Sequence, residues 1–108
     1  MRLGPLFHAT AGRVAAKTAL ICGAETVSYA ELDLRSRGVA AALLARGVRR
    51  GDRVGIHSTN SIEAVTMLLA CFHAGFIAVP VNVRLKAAEA AYILGHAQPV
   101  LCYSHPAL

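Results

Sequence analysis

Gly51-Asp52-Arg53-Val54-Gly55-Ile56-His57, running on to Val79-Pro80-Val81-Asn82, decides the fold. Two short apolar runs, 53–57 and 76–79, flank a helix-length apolar stretch at 61–74. Gly51-Asp52 reads as a tight turn into the first run, because glycine tolerates positive φ and aspartate binds nearby amides. Asn60 and Glu63 have the spacing of a capping box, in which each side chain satisfies an orphan amide at a helix start. Ile62, Val65, Leu69 and Phe72 then recur at three- and four-residue steps, one face of an α-helix. Gly75 is placed to end that helix in a left-handed conformation, and Pro80, lacking an amide, to end the second run. Strand, helix, strand in this order is a βαβ crossover, which implies two parallel strands and a right-handed connection.

Working outward, residues 3–15 read as a short, weak helix with Leu3, Leu6, Phe7 and Val14 as its apolar positions. Thr18–Gly23 reads as a strand, and Glu25-Thr26-Val27 as its hairpin partner across Gly23-Ala24. Ser28 and Glu31 repeat the capping-box spacing ahead of a helix at 29–46. Tyr29, Leu32, Val39 and Leu43 form its stripe, and Gly47 closes it. Beyond Pro80 the pattern gives a loop at Val81–Leu85, a helix at 86–94 ended by Gly95, and a third parallel strand at 99–103. Helix and buried strand alternate from 28 to 103, so the fold class is α/β, with βαβ units forming a parallel sheet flanked by helices.

The 108 residues suit a single domain. The apolar fraction is 56%, with 21 alanines and no tryptophan. Such a composition implies that part of the apolar surface is covered by something else, with self-association as one outcome. The net charge of +5 comes from 11 basic against 6 acidic residues. Arg35, Arg37, Arg46, Arg49, Arg50 and Arg53 gather in the middle third. No aromatic residue is interleaved with them, which argues for a solvated basic face and against a nucleic-acid platform. Cys22, Cys71 and Cys102 lie in apolar runs without metal-ligand spacing, as small hydrophobes in a reducing, cytoplasmic setting. No apolar h-region precedes Thr10, so no secretory signal is expected. Ala64–Val83 is long enough to raise a membrane span, but Thr66, His73, Gly75, Pro80 and Asn82 punctuate it.

Neither a dinucleotide nor a Walker glycine motif occurs. Cys71 and His73, two apart on a helix, point to different faces and make a poor metal pair. His57 stands at the carboxyl end of a strand, where α/β folds place ligands. The simpler reading is a polar residue leaving the sheet. Ser58, Thr59, Asn60 and Ser61 are explained by turn and capping chemistry, and Tyr29 by packing beneath its helix. No catalytic, cofactor-binding or metal-binding residue is assigned.

The chain nevertheless resembles a known family. Val27-Ser28-Tyr29-Ala30-Glu31-Leu32 is similar to the first conserved box of the adenylate-forming (AMP-binding) synthetases and ligases. Gly47-Val48-Arg49-Arg50-Gly51-Asp52-Arg53-Val54-Gly55-Ile56 resembles the stretch that follows it, and Leu69–Asn82 resembles the second box. The resemblance spans about residues 5 to 103. Asn82-Val83-Arg84-Leu85 looks most like acyl-CoA synthetases. Lys86 stands where the family usually caps a helix with Ser or Thr, and Ala90 where leucine often follows the Glu89 position. Both departures weaken the helix at 86–94.

The resemblance implies an ATP-dependent ligation of a carboxylic acid to CoA through an acyl-adenylate, with ATP, Mg²⁺ and CoA as the parent enzyme's cofactors. The family's phosphate loop, aromatic-Thr-Glu segment, ribose-binding Asp and catalytic Lys correspond to sequence beyond Leu108. The chain is therefore expected to be an inactive amino-terminal scaffold, the product of a fragment or degenerate gene, whose partner is the remainder of the ligase. The alternatives are a stand-alone α/β binding module and the start of an amino-acid-activating adenylation domain.

Overall fold

The strand that organises the molecule is β3 (Arg53–His57), flanked on one side by β4 (Ile77–Val81) and on the other by β5 (Leu101–Ser104). The computed structural model describes residues 3–59, 61–81 and 87–104. Both pairings are parallel, with Val54 opposite Ala78 and Leu101, and Ile56 opposite Pro80 and Tyr103. The expected parallel α/β architecture is present. Ahead of β3 lie α1 (Leu3–Arg13), the hairpin β1 (Thr18–Cys22) and β2 (Glu25–Ser28), and α2 (Tyr29–Ala45). β1 and β2 pair antiparallel as a separate two-stranded sheet. Between the parallel strands run α3 (Ile62–Ala74) and α4 (Ala87–Ala97).

The turn into β3 works as its residues dictate. Gly51 has a φ of 86°, and the Asp52 carboxylate accepts from the Arg49 amide at 2.7 Å. The Ile77 amide donates to the Asp52 carbonyl at 2.8 Å, which aligns β4 with β3. Alternation along β3 then sends Val54 and Ile56 to one face. There they join Leu43 of α2, Met67 and Cys71 of α3, and Phe76 in the main core. A second cluster of Val27, Leu32 and Ile62 ties the hairpin to the same two helices, with Phe7 of α1 packed against it.

Several boundaries differ from the sequence expectations, each for a local reason. Helix α3 starts one residue later, because its cap is Ser61, whose hydroxyl accepts from the Ala64 amide at 3.1 Å. Glu63 therefore sits in the first turn, where a carboxylate complements the helix dipole, rather than three residues after its cap; Asn60 lies outside the described residues. Ser28 does cap α2, accepting from the Glu31 amide at 3.2 Å. The Glu31 carboxylate pairs with Arg35 instead, at 2.6 Å. Pro80 does not end its strand. It lies inside β4, which has one neighbour among the described strands, and such edge strands tolerate a missing amide. The strand covers 77–81 rather than 76–79, and Phe76 turns into the core instead.

Gly95 does not end α4. The helix runs on to Ala97, and the left-handed residue that follows is Gln98, with φ 50°. Lys86, the loop at 82–85 and the Ala90 side chain lie outside what is described. The last strand covers 101–104 rather than 99–103. Of the cysteines, Cys71 is buried as expected, but Cys22 and Cys102 are exposed: alternation along β5 turns Cys102 outward, and Cys22 ends β1 beside the equally exposed Ile21. All three thiols are free.

Helix α1 sits on α3 through Gly4. A β-carbon there would lie 2.7 Å from both His73 Cα and the Phe72 carbonyl oxygen, backbone atoms that cannot rotate aside. Gly4→Ala is therefore expected to destabilise by about 1–3 kcal/mol, as overpacking does. Urea unfolding checks this, and an unchanged midpoint would show the contact to be slack.

Candidate functional site

Two groups of polar side chains invite chemistry. The first lies at the carboxyl end of the parallel sheet. His57 leaves β3 and its Nδ1 lies 3.3 Å from the hydroxyl of Ser104 on β5. Ser58 donates to the Thr59 carbonyl at 2.9 Å and lies 3.4 Å from the Ser61 hydroxyl. Ser61 is in turn committed to capping α3. A hollow of about 180 Å³ opens beside them, lined by Ile56, Ser58, Thr59, Leu68 and Pro80. The hydroxyls hold their own loop, and no carboxylate orients His57 among the described residues. The arrangement is a well-tied strand end, with no activated nucleophile.

The second group was not singled out from sequence. Asp33 of α2, with its side chain 6% exposed, accepts at Oδ2 from His8 Nδ1 of α1 at 2.7 Å and from Arg37 Nε at 3.1 Å. Ser36 donates to the Asp33 carbonyl at 3.1 Å, so its oxygen receives a proton from His73 Nε2 of α3 at 3.0 Å. His73 Nε2 also lies 3.6 Å from Asp33 Oδ1, which has no hydrogen-bond partner. Serine, histidine and aspartate are all present, but Ser36 and Asp33 approach the same ring nitrogen. A proton relay needs them on opposite nitrogens, so the cluster fastens three helices and does not activate Ser36.

Burial holds the His73 pKa below its ordinary value; Asp33 opposes that shift, while Arg37 and His8 add to it. The Cys71 thiol is pushed up to about 11 by burial, which makes it inert. Cys71 faces the core and His73 faces Asp33, so the two do not converge. No three His, Cys, Asp or Glu side chains form a metal site among the described residues. Tyr29 packs with Phe7, ring centroids 6.1 Å apart. The one signal that could have found the cluster is the i,i+4 spacing of Asp33 and Arg37; the histidines come from 25 residues before Asp33 and 37 residues after Ser36.

A larger apolar concavity among the described residues belongs to neither group. It is a groove of about 490 Å³ between α2 and α3, lined by Val39, Ala42, Ile62 and Met67, with Tyr103 of β5 also in its wall and Arg35 and Glu63 at its border. No helix among the described residues is long and apolar enough to cross a membrane.

Comparison with known proteins accounts for a scaffold of this kind. Residues 7–107 match the family model described as AMP-binding enzyme. A medium/long-chain-fatty-acid–CoA/3-oxocholest-4-en-26-oate–CoA ligase of Mycobacterium marinum is 37% identical over 84 residues, covering 78% of this chain and 15% of that ligase. Triostin synthetase I of Streptomyces triostinicus is 33% identical over 98 residues, covering 91% of this chain and 19% of that protein. Among solved structures, a benzoate CoA ligase from Burkholderia xenovorans superposes with a TM-score of 0.94 at 25% identity, over 99% of this chain and 22% of that one. The 108 residues thus span less than a quarter of the length of any of these three. With the family's boxes on β2–α2, β3 and α3–β4 and the match running almost end to end, the chain belongs to the AMP-binding enzyme family.

Proposed function

We propose that these residues are the amino-terminal scaffold of an ATP-dependent acyl-CoA synthetase, whose complete form joins a carboxylic acid to CoA through an acyl-adenylate. The observation that carries the reading is the identity to the mycobacterial fatty-acid–CoA ligase, which extends over 78% of the chain. ATP, Mg²⁺ and CoA belong to the parent reaction, and the cytoplasm is its setting. Among the described residues no three potential metal ligands converge, and the strand-end hydroxyls are spent on their own loop, so no residue of this segment is assigned to those groups. No step is routed through them. The role of this segment is to present β3 and α3 as a rigid wall, and alone it turns nothing over.

The test is carboxylate-dependent exchange of pyrophosphate into ATP. The 108-residue polypeptide is expected to give none above a blank, and the product of its complete reading frame is expected to form acyl-CoA. Exchange by the short polypeptide, purified free of host ligase, would overturn the scaffold reading. The match to triostin synthetase I favours one second reading, an amino-acid-activating adenylation domain. Exchange driven by amino acids and indifferent to CoA would select it.

A further inference from the structure

We propose that His73 is an acid-operated release for α1: a neutral ring keeps the first helix clasped to α2 and α3, and a proton on that ring sets it free. The His73 side chain is 8% exposed. Its surroundings come from three elements. α2 supplies Asp33, Ser36 and Arg37, and α1 supplies His8 on the same carboxylate. Phe7 of α1 meets the imidazole edge-on, centroids 6.2 Å apart. Arg50, from the turn before β3, lines one cavity with His73.

The direction of the effect follows from this inventory. Nε2 already carries a hydrogen, given to Ser36, so an added proton goes to Nδ1. The new charge finds one carboxylate nearby. That carboxylate already serves His8 and Arg37 through Oδ2, and its free Oδ1, at 3.6 Å, is beyond hydrogen-bonding reach. Arg37 and His8 both work against a charge on the ring. A buried charge that its one carboxylate compensates only weakly is relieved by water, and the structure provides a path. The cavity beside His73, about 240 Å³, is bounded by Leu3 and Pro5 of α1 on one side and by the end of α3 on the other. Water drawn to the ring enters along the seat of α1. That helix buries only Gly4 and Ala11, so little buried surface opposes its departure.

Linkage gives the same sign. Docked, His73 titrates below its ordinary value because it is buried; undocked and hydrated, it returns towards that value. The undocked state then binds more protons, and acidification through the ordinary histidine range favours it. The release therefore belongs to His73.

Hydrogen–deuterium exchange, corrected for the intrinsic pH dependence of amides, tests this. Protection across residues 3–13 is expected to be lost progressively between about pH 7.5 and about pH 5, as the undocked state takes up the additional proton. Protection of β3 is expected to hold. His73→Gln keeps an N–H donor but does not titrate, and should make the protection of α1 independent of pH; His8→Gln should leave the fall in place. Imidazole NMR of the unaltered chain gives the second readout, with the His73 midpoint coinciding with the release. Constant protection in the unaltered chain, a fall that survives His73→Gln, or a ring still neutral when α1 is free would each overturn the proposal. If His73→Gln does not fold, the ring titration decides alone.

Discussion

Val54→Asp is expected to leave the chain without a cooperative unfolding transition. Val54 is fully buried in β3, with strands on both sides and Leu43, Met67 and Cys71 in the same core. A carboxylate there meets no cation and no free donor. Leaving a charge buried without a partner costs of order 3–5 kcal/mol, against a total of about 5–15 kcal/mol for a small domain. The proper control is Leu34→Asp, at a position 65% exposed, where a change of within about 0.5 kcal/mol is expected. Circular dichroism during heating separates the two. A Val54→Asp melt with the midpoint of the unaltered chain would mean that β3 is not the centre of the structure.

The second large effect concerns behaviour in solution. The groove between α2 and α3 leaves Val39, Ala42, Met67 and Tyr103 around one apolar hollow, and concavities of this kind are normally covered. β4 and β5 each have one neighbour among the described strands, so both outer edges carry unpaired backbone groups. The 108-residue polypeptide is therefore expected to gain apparent mass with concentration in sedimentation and to bind hydrophobic dyes. Val39→Lys, which puts a charge into the groove, is expected to cut dye binding several-fold without unfolding the chain, since Val39 is only half-buried. A dispersed monomer that binds no dye would instead support a stand-alone module.

The parts of this fold that were legible in the sequence are those written in neighbouring residues. Ser28 caps the helix that its spacing to Glu31 announces, Gly75 turns left-handed where the periodicity stops, and Val54 and Ile56 alternate into the core. Asn60 and Ser61 show why cap positions slip. Two adjacent polar residues with equal capping chemistry offer two registers, and the packing of Ile62 in the second core cluster accompanies the later one. Pro80 and Gly95 were read as terminators because each permits an ending. Neither enforces one: an edge strand has no use for an outward amide, and a glycine can stay helical. Cys22 and Cys102 were read from the apolarity of their runs, when the face each occupies mattered more.

The polar cluster was hidden for a different reason. His8, Asp33 and His73 sit on three separate helices, and nothing in the order of residues says which helical faces will meet. A charged residue on an amphipathic helix reads as solvated until its neighbours are placed, and Asp33 proves to be 4% exposed. The strand end was legible as a place but not as a chemistry. His57 emerges where expected, and its partner is a hydroxyl on β5 that no local pattern connects with it.

The order β4-β3-β5 also bears on how the chain comes together. The middle strand is made first, and Val54 meets Ala78 across a loop about half as long as the one that brings it Leu101. Doubling a loop adds only about 0.6 kcal/mol of closure entropy, less than the ~1.5–3 kcal/mol from burying one large apolar side chain. Loop length therefore does not set the sequence of assembly; burial does. The unit β3–α3–β4 brings Val54, Ile56, Met67, Cys71 and Phe76 into one core, whereas β5 adds the half-buried Leu101 and Tyr103. On this reasoning the sheet grows from its middle outward, and β5, which adds less burial than β4, is expected to join after it and to open before it.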